Sequence, residues 1–220
     1  MQEHLKDAIK IGMIDIETLD VHRTNSVITE VGVLTCNMSY SNQDNSIVIS
    51  DVQMNVYYLP LLKQIIQLGR SFSQDTLKFR EKHKFDLSSH VETHAIEEMV
   101  AEITDRLTPM NVVWVNGPDF DLGNLSSISR QVNVSEEFYD FRKTRDLRTI
   151  RNELDIFKNH KRIGDHTSQG DCKDMLEQLK VYYKNKTTLN SFSTNQEKEN
   201  VSRYNEAYHY QGEARTIAGI

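Results

Sequence analysis

Apolar residues recur at every second place in much of the first sixty positions, and at every third or fourth place in later stretches. Residues 11–15, IGMID, form a short apolar run that ends in an acid. Residues 27–36, VITEVGVLTC, alternate and carry β-branched side chains, so both stretches read as strands joined by the polar turn His22 to Ser26. Residues 52–59, VQMNVYYL, alternate again and complete an antiparallel unit, which Pro60 ends. The period then changes. Val91, Ala95, Ile96, Met99, Val100, Ile103 and Leu107 fall at helical spacing between the serines 88–89 and Pro109. Val112 to Val115 read as a short buried strand, followed by the turn NGPD and a helical pattern through Leu122, Leu125 and Ile128. From Asp171, the positions Cys172, Met175, Leu176, Leu179 and Tyr182 mark a last helix. Beyond about Lys184 the periodicity stops.

Three early strands, a helix, a strand parallel to the first and closing helices predict an α/β fold. Its mixed ribonuclease H-like sheet would have three antiparallel strands plus parallel ones, flanked by helices. The antiparallel start separates this arrangement from a doubly wound sheet. The pattern predicts one domain over 1–183 and a polar, flexible C-terminal tail over 184–220. A hydrophobic share of 38% and a mean hydropathy of −0.57 agree with part of the chain lying outside the core.

Net charge is −6, which argues against a protein that coats duplex DNA through counterion release. The N-terminus MQEHLKDAIK lacks the apolar stretch of a signal peptide, and no apolar run approaches the length of a membrane span. Two cysteines, Cys36 and Cys172, fall in segments that read as buried, so a reducing cytoplasm is expected. No GxGxxG or GxxxxGK[ST] loop is present, so the sequence offers no phosphate cradle of those kinds.

The candidate chemistry lies in carboxylates. Asp15 and Glu17 stand two apart in IDIET, and on a strand both leave the same face. Two acids so placed repel unless they face water or hold a cation, so the pair is either a solvated strand end or a ligand pair for a hard divalent ion. Asp119 and Asp121 follow the buried strand Val112 to Val115, at the edge where loops of an α/β sheet gather. Asp119 is placed to cap the helix that follows, which leaves Asp121 as the inward acid or as a partner of the helix dipole. His166 precedes Asp171 by five, with the aspartate at the head of the last helix and the histidine on the loop before it. Such a histidine can take a proton from water, or it can be an ordinary surface residue. His160 and Asp165 repeat the spacing, so spacing alone does not choose between the pairs.

The order of these signals resembles the DEDDh 3′→5′ exonucleases of the DnaQ-like superfamily over about Gly12 to Leu179. IDIET is similar to that family's first motif, NGPDFDLGNL to its second and HTSQGDCKDML to its third. The run RDLRT, Arg145 to Thr149, and DCKD after the histidine resemble the DexA exonucleases of T4-type phages and the related Rv2179c-like exoribonucleases. Where those proteins carry two tryptophans on a threonine-containing helix, this chain has Phe79 and Arg80 in DTLKFREKH.

The resemblance implies that Asp15, Glu17, Asp121 and Asp171 ligate two Mg²⁺ or Mn²⁺ ions and that His166 is the general base. Thr18 and Leu19 would meet the terminal nucleotide, and Asn116, Phe79, Arg80 and Arg145 would contact the strand. The implied reaction is release of 5′-mononucleotides from the 3′ end of single-stranded DNA, in a host cytoplasm if the chain is phage-encoded. RNA is the alternative substrate, a homodimer is compatible with the family, and a non-catalytic nucleic-acid-binding module is a further reading. Grip would come from Lys78, Arg80, Lys82 and Lys84 and from Arg142, Lys143, Arg145, Arg148 and Arg151, unless these are solvated faces.

Overall fold

The computed structural model describes residues 8–41, 43–44, 46–83, 90–134, 139–153 and 166–186. Strands β1 (Ile9–Thr18), β2 (Ile28–Ser41) and β3 (Ser46–Tyr58) are each longer than the alternation in the sequence predicts. β1 pairs antiparallel with β2, and β2 antiparallel with β3. β4 (Val112–Val115) joins β1 in parallel, and β5 (Thr144–Asp146) joins β4 in parallel, giving the order β3-β2-β1-β4-β5. This is the expected mixed α/β sheet, with the acid-bearing strand at its centre.

One face of the sheet buries Ile14 and Ile16 of β1, Val31 and Val33 of β2, and Val113 and Val115 of β4. Against them pack α2 (Ile96–Leu107), through Ile96, Met99, Val100 and Ile103, and α3 (Pro118–Gln131), through Leu122, Leu125 and Ile128. Because side chains alternate, Met13, Asp15 and Glu17 leave by the opposite face. There the last helix, α5 (168–186), brings Cys172, whose buried thiol donates to the Gly32 carbonyl at 3.5 Å. Gly32 lies opposite Asp15 in the ladder. A Cβ on it would come within 2.7 Å of the Ser168 carbonyl oxygen, so the absence of a side chain lets α5 begin directly over the acids.

Several boundaries differ from those predicted. Helix α2 begins at Ile96, not near Val91, which is exposed. Glu98 reaches back to the Ala95 amide and starts the helix there. Asp119 is not the cap of α3: Gly117, at φ +108, occupies that position, and Pro118, with no N–H to satisfy, opens the helix. The apolar spacing gives no warning of α1 (Gln74–Lys82), of α4 (Leu147–Glu153), or of the π-helical turn Lys63–Gln67. Helix α5 starts three residues before Asp171, and the predicted boundary after Tyr183 falls inside it. By its contacts the chain groups into two units, residues 1–180 and 181–220. Residues 187–220 of the predicted tail, and His160 with Asp165, lie outside the described residues. No helix among the described residues is long and apolar enough to cross a membrane.

Candidate active site

Asp15 is only 6% exposed, which rules out a solvated strand end. It meets Glu17 from its own strand and Asp171 from the first turns of α5. Each of the three offers an oxygen, and these oxygens all lie within 4.8 Å of one another. Asp121, in the first turn of α3, is also buried, and its Oδ2 has no hydrogen-bond partner. Burial first, and then the charges of Glu17, Asp171 and Asp146, push its carboxyl well above the usual range, with Arg148 acting against them. The Cys172 thiol, raised chiefly by burial, also responds to Asp15, Asp121 and Asp171. Strand β1 and helix α5 thus gather three of the four predicted acids, and α3 buries the fourth, Asp121, where it responds to Glu17 and Asp171. An all-oxygen set with an orphaned buried carboxylate oxygen fits a hard divalent cation.

His166 stands just before α5 in a left-handed conformation, φ +61. Phe79 and Arg80 of α1, and His83 just after that helix, lie around His166. Its ring lies 5.5 Å from that of Phe79, edge to face, and 4.3 Å from that of His83. Arg80 Nη1 donates to the His166 carbonyl at 2.9 Å and is also ion-paired with Glu17. Two residues further on, the Ser168 amide donates to the Glu30 carboxylate. Glu30 sits directly across the ladder from Glu17, on the same face. Sequence reasoning passed over Glu30, although an acid inside the apolar run VITEVGVL is a signal of its own.

The remaining predicted site residues divide. Thr18 is buried and donates its hydroxyl to the Asp20 carbonyl at 2.7 Å. Leu19 is buried beside Val27 and Leu61. It forms part of the wall of an apolar cavity of about 360 Å³ that Leu62, Phe72 and Leu77 also line. Phe79 is about half exposed. Arg80, expected to contact the nucleic-acid strand, is instead buried on Glu17 and the histidine loop. Asn116 accepts from Arg151 at 2.9 Å, and Arg151 in turn reaches Gln178 on α5. Arg145 donates to the carbonyls of Arg142 and Thr144. Of the predicted basic stretches, Lys78 and Lys82 are exposed on α1, while Lys84 lies outside the described residues. Arg142 and Lys143 precede β5, at the opposite end of the parallel strands from the acids.

No protein-family model matches the chain, and no curated protein matches it. Solved structures do. Exonuclease I of E. coli in complex with a dT13 oligonucleotide superposes with a TM-score of 0.51 and 12% identity, over 84% of this chain and 43% of that one. The same enzyme in complex with a 5cy-dA13 oligonucleotide gives 0.50 and 11%, over 79% and 40%. This chain therefore spans less than half the length of the proteins it resembles. At such identity the likeness concerns the fold, and the chain has the ribonuclease H-like α/β fold that exonuclease I shares.

Proposed function

We propose that this protein is a metal-dependent exonuclease that removes nucleotides from the 3′ end of single-stranded DNA. The carrying observation is the gathering of Asp15, Glu17 and Asp171, with the carboxyl of buried Asp121 raised by burial and by Glu17 and Asp171, in a fold shared with an exonuclease bound to an oligonucleotide. On this reading the four carboxylates hold two divalent cations, Mg²⁺ or Mn²⁺. Such ions supply an activated water at neutral pH and offset charge on the phosphate oxygens.

His166 is the general base. Its imidazole accepts the proton of the attacking water without being a ligand, and the reading is supported by Arg80, which holds the His166 carbonyl and is ion-paired with Glu17. Leu19 and the apolar wall formed with Leu61, Leu62 and Phe72 receive the terminal base. Thr18 Oγ1, bonded to the Asp20 carbonyl, fixes the turn that presents Leu19. Lys78 and Lys82, exposed beside Phe79, supply a local positive face for the strand in a chain of net charge −6. RDLRT and DCKD favour the DexA-type branch of the superfamily.

The test is digestion of end-labelled single-stranded DNA and matched RNA, with Mg²⁺ and with a chelator. Mononucleotides released from the 3′ end of DNA, abolished by chelator, support the reading. Faster digestion of the RNA would transfer the assignment to an exoribonuclease. Cutting of a circular single strand, or full activity in chelator, overturns it.

A further inference from the structure

We propose that Arg80 is a positioning residue that makes cation binding at Glu17 and the placement of His166 one coupled event. The inference rests on the reading above, in which Glu17 is a cation ligand and His166 the base.

Lys78 and Lys82 are exposed on α1, as a basic helix face requires, but Arg80 between them is 4% exposed. Its guanidinium bridges two groups: the Glu17 carboxylate on β1 and the His166 carbonyl on the loop before α5. Both bonds leave one nitrogen, Nη1, whose two N–H directions are fixed by the rigid guanidinium plane, whereas an ammonium rotating on a flexible stem holds no such fixed pair of directions. At φ +61, His166 has a backbone conformation that a residue with a Cβ seldom keeps without support. That support comes from both sides, from Arg80 on the His166 carbonyl and from Glu30 on the Ser168 amide. Phe79 and His83, neighbours of Arg80 on and just after α1, flank the ring itself. One helix thus seats the imidazole and grips a metal-binding acid through the same turn.

The coupling has an electrostatic side. Arg80 is a fixed positive charge on Glu17, so an arriving divalent cation binds against its repulsion. Removing the charge makes the cluster more attractive to cations and at the same time frees the histidine loop. Cation affinity and turnover should therefore move in opposite directions, whereas loss of a merely structural residue would lower both.

The experiment uses the full chain with Arg80→Gln and Arg80→Lys, and three readouts: calorimetric titration with Mn²⁺ alone, single-turnover kcat on end-labelled single-stranded DNA, and the His166 ring-proton resonances, assigned by their loss in His166→Ala. For Arg80→Gln the expected result is Mn²⁺ binding about tenfold tighter or more, kcat lower by about 10- to 10²-fold, and a displaced His166 signal. Arg80→Lys keeps the charge and protects the fold. It should return the Mn²⁺ affinity to within about threefold of wild type while kcat stays low and the signal displaced. Mn²⁺ affinity and kcat falling together in Arg80→Gln, or an unmoved His166 signal with unchanged kcat, overturns the proposal. If Asp15→Asn leaves the wild-type Mn²⁺ titration unaltered, the acids are not the cation site and both readings fall. If Asp15→Asn abolishes it and the Arg80 variants change nothing, only the role of Arg80 falls.

Discussion

Arg70 and Arg80 each carry a guanidinium into the interior, 3% and 4% exposed, yet their surroundings differ in kind. Arg70 donates to the Ser26 carbonyl at 2.8 Å and to the side-chain oxygens of Asn124 and Gln131, each at 2.9 Å. These acceptors are neutral, and burial pulls its pKa down to about 10. Such an arginine fastens the β1–β2 connection to α3 by satisfying oxygens that would otherwise be buried without donors. Arg80 meets a carboxylate of a crowded acid cluster and one loop carbonyl. What a buried arginine bonds to, rather than its burial, separates a fastening from a residue of the candidate site.

The largest effect is expected on the Arg80 side. Asp15→Asn should cut exonuclease activity by about 10³-fold or more, because it removes a ligand charge from the centre of the cluster. Residual activity within tenfold of wild type on end-labelled DNA would erase the distinction between the two regions. His166→Ala should lower kcat by about 10² to 10⁴-fold with Mn²⁺ binding retained. His160→Ala should cost little, and single-turnover rates across pH 6 to 9 compare the two. On the other side, Arg70→Met should lower stability by about 2–4 kcal/mol through stranded acceptors while the folded fraction keeps kcat within about twofold. Urea unfolding read beside activity tests this, and a kcat loss as large as that of His166→Ala would make Arg70 part of the site.

The smallest effect sharpens the electrostatic half. The Asp121 carboxyl is raised in the folded state, so its contribution to stability is present below its ordinary value of 3.8 and is lost as pH rises through the raised value. Asn cannot ionise. In the metal-free protein Asp121→Asn should therefore be the more stable form at neutral pH, by about 1 kcal/mol or more, a few degrees of Tm. The gap should close as pH approaches the ordinary carboxyl range. A thermal melt series in chelator from pH 3.5 to 8 measures it, and a gap that widens in acid would mean that Asp121 is stabilised as an anion.

The central strands and the two long helices were legible in the sequence because polarity is sorted by face: Ile14 and Ile16 on the core face against Asp15 and Glu17 on the other, and Ile96, Met99 and Ile103 at helical spacing. The four acids stood out through their order and context; Asp15, Glu17 and Asp171 lie together, and Asp121 is buried within reach of the charges of Glu17 and Asp171. Helix α1 left no such trace. Of its residues only Arg80 is buried, and it is buried by an ion pair that hydrophobic periodicity does not register. Asp119 misled because an aspartate suits a cap, while Gly117 and Pro118 together start the helix earlier. Glu30 and Gly32 carry meaning only once a helix that starts at Ser168, far later in the chain, arrives above them.

On the proposed function, that separation bears on when activity first becomes possible during synthesis. The Ser168 amide and Glu30 are 138 positions apart, and the Cys172 thiol and Gly32 are 140 apart. Contacts of such range form late, after the intervening chain has paid its loop-closure entropy. A ribosome releases β1, β2 and α3, with three of the four acids, well before it releases Asp171 and the histidine loop. On the proposed function, an unfinished polypeptide would therefore hold neither the full set of acids nor the Arg80-held histidine loop, and the activity would arise only when the chain is complete to α5.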